Sequence, residues 1–305
     1  MPITAEFEEK NFEGPLNNQL LGGSRLLYTP GQVLEELIGF DAALHAHSRV
    51  FWSLWNRPTP APGAAITWTW WKGKKGNASF PAWKVNLLVQ YKRPEYLFGR
   101  GAGQYDRWMA PYYRYEITAH QHEALRAAST KLGAQGLVVY ASPGFHTLSA
   151  LFDYTQNGKL VQNTNFVEAR RIKTDHHHYT YRQAGKGGWA CSDPEEVPSI
   201  EDLPAHVERV VLAQDTQDRH ATAFLLGTSE VMDNVAARFP RAFGNDTALI
   251  ERATAQILQG VFDGAAQGVG EIMFRYEKEL RAYVRLNVLC WAGHLEWIVA
   301  GTPTL

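Results

Sequence analysis

The feature that most constrains this chain is a nearly continuous apolar run that ends in two polar residues. The segment Trp83 to Lys92 reads WKVNLLVQYK, so aliphatic side chains fall on both of its alternating faces. A strand that is half exposed alternates apolar and polar residues, whereas a strand in the middle of a sheet is apolar throughout. The run therefore predicts a buried central strand. A chain of 305 residues is long enough to bury such a strand in a sizeable core.

Helical and extended patterns alternate on both sides of this strand. Before it, Thr29 to Gly39 has a Thr-Pro start and a terminal Gly, and it predicts a helix, whereas alternation predicts a strand over Phe40 to His47. After it, apolar spacing predicts a helix over Ala119 to Leu132 and a core strand over Leu137 to Ala141. With β-branched and aromatic residues at Ala65 to Trp71, the order becomes helix, three strands, helix, strand. This order predicts an α/β module with a mixed sheet.

The rest of the chain gives weaker signals. Residues 1–28 are typical of a helical or irregular lead-in that closes at Gly22-Gly23. We predict an edge strand at His176 to Arg182 and a loop at Gly185 to Pro204. Helical periodicity then dominates, most clearly at Thr247 to Phe262 and at Ile272 to Val299. We therefore predict an α/β domain over residues 1–200 and a mainly helical region over residues 201–305.

Composition excludes several classes of protein. Aromatic residues make up 12% and the formal net charge is -1, a combination that excludes disorder for most of the chain. The most apolar stretch, Leu280 to Ala300, contains two Arg, one His and one Glu, which excludes a membrane span there and predicts no membrane partner. The N-terminus is acidic and lacks the apolar core of a secretory signal. Two cysteines suggest a reducing, cytoplasmic setting.

The polar residues around the central strand indicate a chemistry. Gln90 and Lys92 lie two residues apart and so share one face of the strand. A lysine at the end of a buried strand needs a partner, and carboxylates are the obvious candidates. Asp41 follows Gly39 on the first strand, and Glu35 and Glu36 end the helix before it. Carboxylate and amide oxygens suit Mg²⁺, so this set is typical of metal-assisted phosphodiester hydrolysis.

The segments Glu35-Glu-Leu-Ile-Gly-Phe-Asp41 and Gln90-Tyr-Lys92 resemble the acidic and Gln-x-Lys motifs of the PD-(D/E)XK nuclease superfamily. The resemblance covers about residues 29–145 and implies a restriction-endonuclease-like αβββαβ core with a mixed sheet. It implies that Asp41, Gln90 and Glu35 or Glu36 hold Mg²⁺, with Mn²⁺ as the alternative, and that Lys92 acts on the attacking water. Gln121, on the following helix, matches a position that often faces the site. By this resemblance the chain is a DNA endonuclease, with a role in bacterial defence against foreign DNA.

Local charge supports a nucleic-acid partner. The segment from Lys72 to Arg114 carries nine basic residues against two acids, with aromatic rings between them. Cations for phosphates and rings for stacking are typical of nucleic-acid binding. We therefore predict substrate contacts at Lys84, Arg93, Arg100 and Arg107, together with Gln121. The C-terminal helices have ordinary amphipathic faces, which could equally be a surface for a homo-oligomer or a partner protein.

Three alternatives stay open at this stage. The neutral Gln90 lowers the negative charge of the site, so the same fold could be a non-catalytic module that binds nucleic acid or a protein partner. Gln90 and Lys92 could also simply end a strand at the solvent surface, with Asp41 capping a turn. Finally, a hydrolase of another kind could bind zinc or another transition metal through its histidines, namely His45, His47, His120, His122 and the run His176 to His178.

Overall fold

The protein is represented by a computed structural model that describes residues 2–23, 27–28, 82–214, 221–265 and 277–302. The predicted helix at 29–39 and the predicted strands at 40–47 and 65–71 lie outside the described residues. So do Glu35, Glu36 and Asp41, which the resemblance places at the metal.

The described residues form eleven strands and eight helices, numbered here in chain order. The strands are β1 Ile3–Thr4, β2 Leu27–Tyr28, β3 Ala82–Tyr91, β4 Glu95–Leu97, β5 Tyr112–Glu116, β6 Gly136–Pro143, β7 Thr164–Glu168, β8 His178–Tyr181, β9 Gly188–Cys191, β10 Glu195–Val197 and β11 Glu296–Thr302. The helices are α1 Glu9–Gly23, α2 Tyr105–Trp108, α3 Ala119–Leu132, α4 Leu148–Gln156, α5 Leu203–Ala213, α6 Ala221–Arg238, α7 Thr247–Ala265 and α8 Glu277–Ala292.

The strands form two sheets, so the predicted mixed α/β class is confirmed. One sheet has five strands in the order β2-β11-β3-β6-β7, and the other has six in the order β1-β4-β5-β8-β9-β10. Within the five-stranded sheet, β3 and β6 run parallel while their other neighbours are antiparallel. A parallel pair requires a crossover connection, and α3 lies in the segment between the two strands.

The central strand β3 is covered on both faces, as its sequence predicts. Leu88 packs in a core with Val138, Tyr140 and the helices α3, α6, α7 and α8, whereas Leu87 and its same-face neighbours pack against α1, α4 and α5. Every side chain from Val85 to Tyr91 is at most 5% exposed. Burial on both sides explains why the run lacks the alternation of a surface strand.

One predicted helix is wrong over its last seven residues. The helix expected over residues 272–299 ends as α8 at Ala292, and the chain then forms β11. Gly293 and His294, which has a φ of 55°, make the turn that stops the helix. The following Trp297, Ile298 and Val299 are apolar enough to continue a helical pattern, but they pair with β3 and β2 instead. Pairing partners far away in sequence override the local periodicity here.

Two smaller predictions are also corrected. The segment predicted as a loop at 185–204 contains β9 and β10, and α5 begins at its end. The strand predicted at a sheet edge, β8, lies between β5 and β9. By contrast, α3 is confirmed at its predicted bounds, and a helix is confirmed within the lead-in as α1.

A buried asparagine joins the C-terminal elements to β3. Asn86 is fully buried, and its Nδ2 donates hydrogen bonds to Thr228 Oγ1 at 2.9 Å and to the Gln135 carbonyl at 3.2 Å. Its Oδ1 accepts a hydrogen bond of 2.9 Å from the indole nitrogen of Trp297. This side chain thus links β3 to α6 and β11. The boundary near residue 200 stays a prediction, and these elements beyond it pack directly on the central sheet.

Candidate active site

The predicted Gln90 and Lys92 lie where the two parallel strands end. In the β3–β6 register, Gln90 is opposite Tyr140 and Tyr91 is opposite Ala141. Ligands of open α/β sheets bind outside the carboxyl ends of parallel strands. The position of this pair therefore matches a place where such sheets commonly carry a functional site.

Gln90 is buried with one polar atom unsatisfied. Its side chain is 3% exposed, and its Oε1 has no hydrogen-bond partner within the described residues. Leaving a buried acceptor without a partner costs about 1–3 kcal/mol, so such atoms in native proteins need an explanation. A bound water or a cation would satisfy it. An amide oxygen is among the ligands that Mg²⁺ and Ca²⁺ accept.

Lys92 is half-buried immediately beyond β3. Burial lowers the pKa of its ammonium group, and the nearby carboxylates of Glu9 and Glu116 act in the opposite direction. Its Nζ lies 5.8 Å from the centre of the Tyr140 ring, within the range of a cation–π contact. The side chain is therefore partly desolvated, which is the condition that makes a lysine useful in proton transfer.

The backbone of Lys92 is held by β6. Its N–H donates to the Ala141 carbonyl at 2.9 Å, and the Ser142 hydroxyl donates to the Lys92 carbonyl at 3.0 Å. The Tyr181 hydroxyl lies 2.8 Å from Ser142 Oγ and 2.6 Å from the Pro143 carbonyl. Sequence reasoning missed these supports. The signal was present in β6, where Tyr140 and Ser142 place polar groups at alternate positions of an apolar strand.

His122 supports Tyr140 and is itself fully satisfied. Its Nε2 donates to the Ile172 carbonyl at 2.9 Å, so its Nδ1 accepts the hydrogen bond of 2.9 Å from the Tyr140 hydroxyl. Burial, the largest influence, lowers the pKa of the imidazole to about 4, so the ring is neutral at physiological pH. With both ring nitrogens engaged, His122 is a positioning residue for Tyr140 rather than a free metal ligand.

The predicted substrate-binding residues lie in different environments. The guanidinium of Arg93 donates to the Ala5 carbonyl and pairs with Glu8 at 2.7 Å, and that of Arg107 lies 4.2 Å from the centre of the Trp189 ring. Arg100 is exposed, and Lys84 is half-buried near the start of β3. Gln121 lines a small cavity with apolar neighbours such as Met232 and Phe243. Their role in substrate binding stays a prediction, with Arg93 and Arg107 already making internal contacts.

The described residues do not by themselves form the metal site that the resemblance implies. No group of three His, Cys, Asp or Glu side chains within them is arranged to hold an ion. Neither ring nitrogen of buried His176 has a hydrogen-bond partner within the described residues. The nearest carboxylate oxygen is Glu195 Oε2, which lies 3.5 Å from His176 Nε2. Gln90 Oε1 fits as one neutral ligand beside Lys92. The carboxylates that the resemblance adds, Asp41 with Glu35 or Glu36, lie in the segment that is not described.

One acidic residue that lies next to the end of β3 faces away from Gln90. Glu296 on β11 pairs with Val89, so it shares the face of Val89 and Tyr91 rather than that of Gln90. Burial and the nearby Glu13 raise the pKa of Glu296 to about 7. The hydroxyl of Tyr91 on this face donates to Asn17 Oδ1. Glu296 therefore does not supply a carboxylate on the face of Gln90.

Comparison with family models, with curated proteins and with solved structures gave no match to this chain. Within the described residues, no helix combines the length and the apolarity that crossing a bilayer requires.

Proposed function

We propose that this protein is a metal-dependent endonuclease of the PD-(D/E)XK type that hydrolyses phosphodiester bonds in DNA. By the resemblance, it would serve bacterial defence against foreign DNA. The observation that supports this proposal best is the pair at the end of β3: a half-buried Lys92 two residues after Gln90, whose buried oxygen has no described partner. The parallel pairing of β3 and β6, with α3 between them in the chain, agrees with the core that the resemblance implies.

The residues of the pair have distinct roles in this proposal. Gln90 offers a neutral oxygen, and Asp41 with Glu35 or Glu36 would supply the negative charge that Mg²⁺ or Mn²⁺ requires. When bound, the metal would lower the pKa of a water and neutralise charge on the phosphate. Lys92 would donate hydrogen bonds to the attacking water or to the phosphate. Its lowered pKa makes it a better proton-transfer group than an exposed lysine.

One observation favours a second candidate, a non-catalytic module that binds nucleic acid on the same fold. Gln90 is neutral, so the described face of β3 brings no carboxylate of its own to the metal. A site with fewer negative ligands binds a divalent cation more weakly. Binding without cleavage would be the expected behaviour of such a protein.

Cleavage of plasmid DNA with and without Mg²⁺ or Mn²⁺ tests the proposal. Lys92→Met keeps the length of the side chain but removes its charge, and we expect it to reduce the cleavage rate by roughly 10²–10⁴-fold, the usual contribution of a positioned proton-transfer group. Gln90→Glu should lower the Mg²⁺ concentration needed for half-maximal cleavage if the wild type cleaves. Lys159→Met, at an exposed position, is the matched control and should cleave like the wild type.

Two outcomes would contradict the proposal, the first its mechanism and the second its activity. Equal cleavage by the wild type and by folded Lys92→Met would show that this lysine has no role. DNA binding with no cleavage under either metal would favour the non-catalytic module. Melting temperatures of all variants verify that each remains folded.

A further inference from the structure

We propose that a groove along α3 binds the phosphate backbone of nucleic acid, an inference that rests on the proposed function and names a substrate contact surface outside the basic segment 72–114. The groove has a volume of about 430 Å³ and opens to solvent. Its described lining consists of Glu123, Arg126, Ala127, Thr130, Lys131, Thr174, Arg238 and Phe239.

The charge of the groove favours an anionic ligand. Arg126, Lys131 and Arg238 supply three cations, and Glu123 is the one acid among the described residues that line it. The salt bridges formed within the described part of the chain do not involve any of these three cations. Their charges are therefore not neutralised by a described carboxylate in contact with them. A phosphate oxygen can accept hydrogen bonds from each.

Two of the cations are held in place by neighbouring groups. The guanidinium of Arg126 donates to the Ile172 carbonyl, which fixes it at one wall of the groove while leaving other N–H groups to donate. The guanidinium of Arg238 lies 5.3 Å from the centre of the Phe239 ring. Lys131 is exposed in the last turn of α3. Cations that are already positioned lose less conformational entropy when a ligand binds.

Basic residues continue beyond one wall. Arg170, Arg171 and Lys173 flank Ile172, and their side chains are 56%, 48% and 64% exposed. Each also pairs with a carboxylate, since Arg170 and Arg171 contact buried Glu168 and Lys173 contacts Glu195. These carboxylates partly neutralise the three cations and so weaken their attraction for an anion. The cationic side chains nevertheless extend past the groove itself.

The position of the groove favours a nucleic-acid strand over other anions. His122, in the first turn of α3, contacts Tyr140, whose ring lies under Lys92. From Glu123 to Lys131 the helix rises about 12 Å, which matches the length of about three to four nucleotides of one strand in a duplex. The wall that α3 forms is therefore long enough to contact several consecutive phosphates of one strand. A flat bilayer surface would not fill a concave groove of this kind.

Charge reversal in the groove tests the inference. Binding of fluorescent 20-nucleotide DNA, single-stranded and duplex, is measured by anisotropy over a range of salt concentrations. We expect Lys131→Glu with Arg238→Glu to weaken binding roughly 10-fold or more and to reduce the slope of log affinity against log salt by about 2, because each lost phosphate contact contributes about 0.9. Lys131→Gln with Arg238→Gln should give a smaller loss of the same kind. The matched control is Lys159→Glu with Lys278→Glu, which makes the same charge change at exposed lysines outside the groove.

The outcomes separate this inference from the proposed nuclease activity. If both double variants bind DNA with the affinity and salt slope of the wild type, the groove is not a contact surface, whatever the result for cleavage. The groove inference is also wrong if the control loses as much affinity, or if the wild type binds polyglutamate or anionic vesicles through Lys131 and Arg238 but not DNA. If the wild type never cleaves, yet its DNA binding depends on Lys131 and Arg238, the groove stands and the nuclease proposal fails.

Discussion

Glu296 offers a test of how much a partly buried charge beside the central strand costs in stability. The side chain is half-buried on β11 and shares the face of Tyr91 on β3. Burial is the main cause, and Glu13 the second, of a pKa raised from the ordinary 4.5 to about 7, with Lys10 acting in the opposite direction. Glu296→Gln keeps the shape of the side chain and removes its charge at every pH.

The sign of the effect follows from the raised pKa. Below pH 4.5 the carboxyl of Glu296 is protonated in both the folded and the unfolded protein, so its titration does not lower the free energy of unfolding. Between about pH 4.5 and 7 the unfolded chain releases the proton while the folded protein keeps it, and stability falls as the pH rises. Each unit by which the pKa is raised costs about 1.4 kcal/mol once the carboxylate is charged, so the loss of stability has an upper bound of about 3 kcal/mol. Partial exposure of Glu296 lowers this to about 1–3 kcal/mol.

Urea unfolding of the wild type and of Glu296→Gln at pH 5 and pH 8.5 measures this difference. We expect the free energy of unfolding of Glu296→Gln to exceed that of the wild type by about 1–3 kcal/mol at pH 8.5 and by clearly less at pH 5. Glu208→Gln makes the same substitution at an exposed position of α5 and is the matched control; at pH 8.5 its free energy of unfolding should differ from that of the wild type by less than that of Glu296→Gln does. The assignment of a costly buried charge to Glu296 is refuted if the stability difference between Glu296→Gln and the wild type is the same at both pH values. It is also refuted if the variant is less stable than the wild type at pH 8.5.

Two further predictions concern packing and are tested by the same unfolding assay. Asn86→Leu should lower the free energy of unfolding by about 3 kcal/mol or more, because it leaves the buried Trp297 indole and Thr228 hydroxyl without this partner; a loss under 1 kcal/mol would show that water replaces the amide. Gly188→Ala should destabilise by about 1–3 kcal/mol or more, since its Cβ would lie 2.2 Å from the Thr180 carbonyl oxygen. Gly14→Ala, with open space around its Cβ, is the control and should be neutral or stabilising.

The sequence by itself determined the elements whose patterns are local. The helix α3 and the strands β3 and β6 were predicted because apolar spacing, breakers and length agree within each segment. The same reasoning predicted that Gln90 and Lys92 end a buried strand, since alternation alone gives their shared face. It also predicted a mixed α/β class, which the two sheets confirm.

Other features depended on partners that are distant in the chain. The segment after Ala292 becomes β11 because β2 and β3 offer it hydrogen bonds, which no local pattern reveals. His122 is a satisfied core residue only because Tyr140 and Ile172 meet its two nitrogens. Likewise, Arg126 and Lys131 on α3 join Arg238 of α6 in one groove, although more than 100 positions of the chain separate Arg238 from either of them. Burial and charge at these positions are properties of the assembled core, and only the tertiary structure decides them.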